Sequence, residues 1–227
     1  MEIRDGVPID PSQYETIPAN YLVPVEYYTG TSEFKTDWEF AISQTLSDKI
    51  TLRTGKTVGK LRLLDTLESH DSIETVQRVL HYISLNGTIP FILYTKLCGV
   101  YNKQLYKIYI RNGSIRKYKL EKTTDRSRIL NNVKADIWLN GPIISFLRDG
   151  TVIRIVGWRE SLTKSESSYW ICHFQEKNQI RLGKVRMRTR VLGIEYALTA
   201  DPDVHPSLHS GDFSPIIEKI EDKCIIL

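Results

Sequence analysis

The distribution of proline divides the 227-residue chain into a proline-poor middle and two proline-rich ends. Four of the nine prolines lie within the first 24 residues, and three more lie within the last 26. Between residues 36 and 200 only Pro90 and Pro142 occur. Because proline removes a backbone donor and interrupts helices and central strands, regular structure is expected where proline is scarce. We therefore predict a flexible Pro/Tyr-containing arm over 1–35, a core domain over 36–200 and a flexible tail over 201–227.

The composition is typical of a folded, water-soluble chain. Apolar residues make up 41%, charged residues 26% and aromatic residues 10%, which excludes collagen-like, coiled-coil and wholly disordered proteins. No apolar run approaches the ~18 residues that a transmembrane helix needs, and the N-terminus lacks the pattern of a signal peptide. The three cysteines, at positions 98, 172 and 224, are too scattered for a disulfide framework. We therefore expect a reduced, cytoplasmic environment.

Local patterns in the middle of the chain predict both helix and strand. The segment 72–86 has an apolar face and is followed by Gly87, which predicts a helix capped by the pair Asp71 and Glu74. Apolar residues alternate with others over 38–43, which predicts a half-buried strand. The segment 129–138 is compatible with either a helix or a strand.

The second half of the middle segment is rich in strand patterns. Asn112-Gly113 predicts a hairpin that joins strands over 106–110 and 115–120. Further strands are predicted over 151–158, 169–174, 184–191 and 194–198. The predicted fold class is α+β, with a single domain built from a mainly antiparallel sheet and one or two helices packed on one side.

The formal net charge of +4 is an average over segments of opposite sign. Segment 103–128 carries +7 and segment 177–190 carries +6, so the rest of the chain carries −9. A strand over 184–190 would place four basic side chains on one face. Such segregation indicates a polyanionic partner, either acidic lipid or nucleic-acid phosphate. The candidate contact residues are Lys107, Arg111, Arg116, Lys117, Lys119, Lys184, Arg186, Arg188 and Arg190.

The last four residues, Cys224-Ile-Ile-Leu227, form a C-terminal CaaX box whose final leucine is typical of geranylgeranylation. One prenyl chain gives only marginal anchoring. The basic segments would supply the second signal, because each Lys or Arg near an anionic leaflet contributes ~1 kcal/mol. We therefore predict that Cys224 is lipidated and that the basic residues contact acidic membrane lipids. The alternative is an apolar terminal segment that packs on the domain.

Other motifs do not complete a catalytic or metal site. Gly55-Lys-Thr57 lacks the earlier glycine of a P-loop, since Ile50 stands at that position. Cys172-His173 and the pair His205 and His209 have no ligand partners at zinc-site spacing, so we expect Cys172 in the core and the histidines in solvent. No nucleophile elbow or zinc-protease motif occurs. We predict no catalytic residue, no metal and no cofactor.

The N-terminal arm contains three Pro-x-x-Tyr segments, which begin at residues 11, 18 and 24. Extended segments of this type dock in aromatic-lined grooves. The candidate peptide motif for a WW-type domain is the pair Pro24 and Tyr27, and the alternative is chance recurrence in an arm rich in Pro and Tyr.

In its order of features the chain resembles rhabdovirus-type viral matrix proteins over residues 11–176. The features are an arm over Pro11–Tyr27, a strand around Trp38–Ile42, a helix around Ser72–Asn86 and a Gly-Thr strand within Phe146–Val156. The resemblance implies self-association beneath a membrane, contact with a nucleocapsid and a role in budding.

These observations lead to one main hypothesis and two alternatives. The main hypothesis is a non-enzymatic peripheral membrane protein of viral-matrix type, located at the inner face of a host membrane or in the virion. It would bridge acidic membrane lipid and ribonucleoprotein through basic patches and a prenylated C-terminus. The alternatives are a soluble protein that binds single-stranded nucleic acid through basic and aromatic strands, and an effector or adaptor enzyme that borrows host prenylation.

Overall fold

A computed structural model of the protein describes residues 2–4, 7–9, 15–16, 34–55, 58–63, 72–91, 107–120, 126–160, 168–176, 179–187 and 193–204. Helices in these ranges are α1 (Asp37–Thr54), α2 (Ile73–Asn86) and α3 (Arg126–Asn140). The strands are β1 (Glu2–Arg4), β2 (Val7–Ile9), β3 (Glu15–Thr16), β4 (Ile108–Ile110), β5 (Arg116–Lys119), β6 (Ile143–Leu147), β7 (Val152–Arg159), β8 (Tyr169–Glu176), β9 (Gln179–Arg186), β10 (Ile194–Thr199) and β11 (Pro202–Val204). The predicted α+β class with a mainly antiparallel sheet is confirmed.

The main sheet contains seven strands. Six lie in the order β5-β10-β6-β7-β8-β9, and the seventh, β3, pairs with the end of β7. Every neighbouring pair is antiparallel. Two smaller sheets consist of β1 with β2 and of β4 with β11. The basic strands β5 and β9 are consequently the opposite edges of the main sheet.

Hydrophobic side chains fill a core on each face of this sheet. The α1-side core joins α1 and α2 to residues such as Ile144 and Leu198, and the α3-side core joins α3 to Ile143 and Ala197. The sequence predicted helices on one side, whereas the structure has helices on both. The central strands explain the difference, because β7 is buried without interruption over 152–157. Strands that are buried on both faces have near-continuous apolar sequences, whereas the buried Arg154 interrupts the apolar run of β7. The sequence therefore did not reveal the second layer of helix.

Helix α1 occupies the segment for which a strand was predicted over 38–43. All residues from Phe40 to Ile50 are buried, and a helix buried all round has no 3.6-residue hydrophobic period. Its ends follow ordinary capping rules. The Thr36 hydroxyl accepts a hydrogen bond from the Glu39 N–H at 3.2 Å, and Gly55 ends the helix with a φ of 73°. Gly55 is therefore a helix cap.

Helix α2 confirms the helix predicted over 72–86 but has a different cap. The Ser72 hydroxyl caps the helix by accepting from the Thr75 N–H at 3.1 Å. The predicted cap was the pair Asp71 and Glu74, of which Asp71 lies outside the described residues. Gly87 ends it, donating its N–H to the Ile83 carbonyl at 2.9 Å. The ambiguous segment 129–138 lies within helix α3.

Strands β4 and β5 flank the predicted turn at Asn112-Gly113, but they do not form the predicted hairpin. The turn itself forms, with a φ of 72° at Gly113. However, β4 pairs with β11 and β5 pairs with β10. The turn residues therefore specify a local chain reversal, whereas the pairing depends on strands far along the sequence. The paired strands extend to Val204.

Candidate polyanion-binding surface

Lys117 and Lys119 of the edge strand β5 lie over one aromatic ring. The Lys117 Nζ is 4.4 Å and the Lys119 Nζ is 6.0 Å from the centroid of the Tyr196 ring. The register places Lys119 opposite Tyr196 and Lys117 opposite Leu198 of β10. Both lysines are exposed, and neither forms an ion pair within the described ranges. A cation held on a tyrosine face keeps its N–H groups available to an anion.

The other two residues of β5 point to the opposite side of the sheet. The Arg116 Nη2 donates to Asp136 Oδ1 of α3 at 2.6 Å, and the Tyr118 hydroxyl donates to Asp136 Oδ2. Burial, together with the nearby Asp136 carboxylate, raises the pKa of Tyr118 to about 12. The structure thus places Arg116, which is exposed, in an ion pair with Asp136 of α3, on the side of the sheet opposite to Lys117 and Lys119.

A second cluster surrounds Tyr169 at the β9 edge. The Lys184 Nζ donates to the Tyr169 hydroxyl at 2.8 Å and lies 4.6 Å from the ring centroid. The Arg159 Nη1 lies 3.4 Å from the same hydroxyl. Arg186 stands opposite Tyr169 in the strand register and is exposed. Three cationic residues from β7 and β9 therefore flank one tyrosine.

The two clusters lie on the same side of the sheet. Tyr196 packs against the α1-side core. Along β8, Trp170 and Cys172 belong to the α3-side core, so the alternating residues Tyr169 and His173 face the α1 side. Five strand spacings of ~4.8 Å separate the two edge strands. The clusters are also offset along the strands, because the register places Tyr196 level with Val152 of β7 and Tyr169 level with Arg159 of β7. The molecule therefore presents two cation–tyrosine clusters on one side.

The remaining predicted residues have different environments. Lys107 is half-buried at the start of β4, and Arg111 is exposed at the turn before β5. The predictions for Arg188, Arg190, Cys224, Pro24 and Tyr27 lie outside the described residues.

Sequence analysis missed the two tyrosines and Arg159. Tyr196 and Tyr169 each lie in a segment whose strand pattern was recognised. Their partners could be found only from the pairing of β10 with β5 and of β8 with β7 and β9.

A buried charged cluster lies between α1 and the sheet. Arg154 of β7 forms an ion pair with Asp48 of α1, and their side chains are 0% and 5% exposed. The Gln44 Nε2 donates to Asp48 Oδ1 at 2.9 Å. His173 of β8 stands opposite Arg154 and is buried, which corrects the expectation of a solvated histidine. Burial, assisted by the Arg154 charge, lowers the pKa of His173 to about 3.

A second buried cation, Lys49 of α1, forms hydrogen bonds with residues at the end of β10 and just beyond it. Its Nζ donates to Thr199 Oγ1 at 2.9 Å and to the Ala200 carbonyl and Asp201 Oδ1 at 3.0 Å each. Burial lowers the pKa of Lys49 to about 8, and the Asp201 carboxylate opposes the shift. These contacts fill every donor of the ammonium, so Lys49 has a structural role.

Cys172 and His173 do not form a nucleophile–base pair. The thiol lies in the α3-side core, as predicted, whereas the imidazole faces the α1 side. Burial raises the pKa of the Cys172 thiol well above its usual range, which disfavours the reactive thiolate. In the part of the chain that the structure describes, no cluster of three or more potential metal ligands occurs. The helices in that part include none long and apolar enough to cross a membrane.

Comparison with known proteins gives a likeness of fold. No family model and no curated protein sequence match the chain. A crystal structure of SERA5E from Plasmodium falciparum is similar, with a TM-score of 0.51 at 12% identity over 78% of this chain and 90% of that one. A high-resolution structure of SERA5E gives 0.52 at 12% identity over 78% and 91%. The SERA5 proenzyme gives 0.53 at 14% identity over 78% and 61%. At these identities the likeness shows the fold alone, and the chain shares the fold of SERA5E.

Proposed function

We propose that this protein is a non-enzymatic peripheral membrane protein that binds an acidic lipid surface through its cation–tyrosine clusters. The observation that carries the proposal is the pair of exposed lysines, Lys117 and Lys119, held over the ring of Tyr196. The two ammonium groups are placed beside each other on an edge strand. Such an arrangement suits the closely spaced phosphates of a lipid surface.

The second cluster supports binding to a surface rather than to a single small anion. Arg159, Lys184 and Arg186 lie at the opposite edge on the same side of the sheet. Each basic residue near an anionic leaflet contributes ~1 kcal/mol. Two weak sites on one rigid sheet bind together more strongly than either alone, because the second contact is intramolecular.

Lipidation of Cys224 would complete the anchor, since a single prenyl chain requires a second signal. In the matrix-type form of the proposal, the protein lies on the cytoplasmic face of a membrane, self-associates and contacts ribonucleoprotein. The test is membrane flotation of lysates from eukaryotic cells, which measures the fraction of the protein that floats with membranes for the wild type and for Cys224→Ser. Unchanged flotation would refute the lipid anchor.

Vesicle binding tests the basic surface with a matched control. Lys117→Glu and Arg128→Glu change the net charge equally, but Arg128 lies exposed on α3, on the other side of the sheet. Using phosphatidylcholine vesicles with or without phosphatidylserine, we expect Lys117→Glu to weaken binding at least about 5-fold, the equivalent of ~1 kcal/mol. Arg128→Glu should have little effect. Equal losses in the two variants would show that binding follows net charge, and would contradict the proposal.

Single-stranded nucleic acid is the competing ligand for the same surface, since tyrosines beside cations also stack on bases. A titration with single-stranded RNA at several salt concentrations distinguishes the two ligands. Tight, steeply salt-dependent RNA binding that Lys117→Glu abolishes, together with absent vesicle binding, would replace lipid by RNA as the ligand.

An enzyme is the second candidate, because the fold is shared with a protein described as a proenzyme. An activated nucleophile reacts far faster than the same side chain in solution. Covalent probes directed at thiols and hydroxyls, with the labelled residue located by mass spectrometry, test this candidate. Rapid labelling of one side chain would support an enzyme, and uniformly slow labelling would count against it.

A further inference from the structure

Strand β9 forms an edge of the main sheet and has no second partner strand among the described residues. It is eight residues long, contains no proline and pairs with β8 without a register shift. The opposite edge strand, β5, has only four residues. Short strands, prolines and bulges are common means of protecting a sheet edge from pairing. Because β9 uses none of these three means, it offers a long and regular edge to another strand.

The backbone hydrogen bonds between β8 and β9 identify the groups of β9 that point outward. The Met187 N–H donates to the Ser168 carbonyl at 2.9 Å, and this pair continues the register of the two strands. Hydrogen-bonded and non-hydrogen-bonded pairs alternate along an antiparallel ladder. The backbone N–H and C=O groups that point away from β8 therefore belong to Leu182, Lys184 and Arg186.

The side chains of the same three residues are exposed on the α1 side of the sheet. Leu182 stands opposite His173, whose side chain faces the α1 side, and it is 53% exposed. Lys184 and Arg186 follow it at alternate positions, and β9 contains no acidic residue. One apolar and two cationic side chains therefore lie beside the outward backbone groups.

We propose that the β9 edge binds an acidic, extended peptide, which adds to the sheet as an antiparallel strand. In this mode of recognition backbone hydrogen bonds supply affinity and alternate side chains supply specificity. Acidic side chains opposite Arg186 and Lys184 pair with the two cations, and an apolar side chain opposite Leu182 covers it. Because the peptide runs antiparallel to β9, its sequence pattern is acid-x-acid-x-apolar.

The charge of the edge favours this occupant over a second copy of β9. Like charges that meet across a strand pair are destabilising, and two copies would each bring three basic residues to the contact. An acidic strand replaces this repulsion by attraction. The peptide site depends on the backbone edge and goes beyond the proposed function, so it holds whether or not the basic surface binds lipid.

The test measures the binding of synthetic peptides to the full-length protein by fluorescence anisotropy. The probe peptide is Thr-Glu-Thr-Glu-Thr-Val-Thr, and a scrambled peptide has the same composition and charge. A third peptide carries N-methyl groups on its Glu and Val residues, whose N–H groups face β9 in the proposed pairing. A fourth carries them on the two Thr residues between these, whose N–H groups face away.

We expect the scrambled and third peptides to bind at least about 10-fold more weakly than the probe, because they lose several backbone hydrogen bonds. The fourth peptide should bind about as well as the probe. Equal affinities for all four peptides would show that charge alone holds them, and would overturn the proposal. Absence of binding by the probe peptide would overturn it too.

A matched pair of variants tests the protein side of the contact. Leu182→Pro and Leu182→Ala both remove the exposed leucine side chain, but only proline removes the outward N–H. Neither removes a hydrogen bond to β8, so thermal melting should show both variants folded. We expect Leu182→Pro to bind the probe at least about 5-fold more weakly than Leu182→Ala, and equal affinities would contradict the proposal.

Hydrogen exchange at the three outward amides distinguishes a peptide from a second copy. Exchange should be fast in the free protein at every protein concentration and should slow when the probe peptide is added. Protection in the free protein that grows with concentration and accompanies a dimer mass would overturn the proposal, since the occupant would then be a second copy.

Discussion

Acidification should destabilise the domain through the buried imidazole of His173. The side chain is 2% exposed and faces Arg154 across the strand pair. Its pKa falls from 6.5 to about 3, first because burial disfavours the charged form and second because Arg154 is cationic. The unfolded chain takes up this proton near pH 6.5, whereas the folded protein takes it up only near pH 3. The contribution to stability is therefore intact above pH 6.5 and is lost as the pH falls.

The size of the effect follows from the separation of the two pKa values. Each pH unit between them changes the free energy of unfolding by ~1.36 kcal/mol. Between pH 6.5 and pH 5 the loss is about 2 kcal/mol, and by pH 3 it approaches about 5 kcal/mol. Since single domains are stable by only ~5–15 kcal/mol, the first of these losses is already measurable.

Urea denaturation at several pH values from 7.5 to 5 measures this loss. His173→Gln removes the titrating group, so the difference between the wild-type and variant profiles isolates it from the carboxylates that titrate in both. His81→Gln is the matched control, because His81 is exposed on α2. We expect the wild type and His81→Gln to lose about 2 kcal/mol more than His173→Gln between pH 6.5 and pH 5. Parallel profiles for all three proteins would refute the reasoning.

Three substitutions test other features of the fold by urea denaturation at neutral pH. Gly183→Ala should cost ~1–3 kcal/mol through overpacking, because its Cβ would stand 2.2 Å from a ring atom of Phe174; an unchanged midpoint would contradict that contact. Gly55→Ala has open space, so only the left-handed backbone is strained, and we expect a loss of ~1 kcal/mol; a loss as large as that of an overpacked site would contradict it. Tyr118→Phe removes a hydrogen bond to the buried Asp136 and should cost ~1–3 kcal/mol; a neutral effect would show that water replaces the hydroxyl.

Sequence patterns predicted the elements that are buried on one side or have strong local signals. Helix α2 has an apolar stripe and a terminal glycine, and β7 and β8 are rich in β-branched or aromatic residues. Helix α1 was missed because its buried residues include Ser43, Gln44 and Thr45. Small polar residues packed all round a helix erase the period on which the prediction depends.

The candidate surface was predictable only in part, because local patterns predict a strand but not the strand with which it pairs. Alternation along β5 separates Lys117 and Lys119 from Arg116, and a strand was predicted there. No local pattern identifies the partner strand. Tyr196 lies about eighty positions away in the sequence and contacts the lysines only because β10 pairs with β5. The buried His173 was missed likewise, because its burial depends on α1 and on Arg154.

Positive charge on β5 and β9 has an explanation that requires no ligand. Both are edge strands of the main sheet, and charged side chains, especially lysine, on an edge prevent pairing with other chains. A charged side chain at any position along the edge strand would protect the edge in this way. It does not account for Tyr196 beneath two ammonium groups at one edge, or for Tyr169 beside Lys184 at the other. Both rings lie on the α1 side of the sheet. The two tyrosines and their common side, rather than the amount of charge, therefore indicate a ligand. For the same reason, Tyr196→Ala, which keeps every charge, should weaken vesicle binding if the ring positions the lysines, and should leave it unchanged if the charges act only as edge protection.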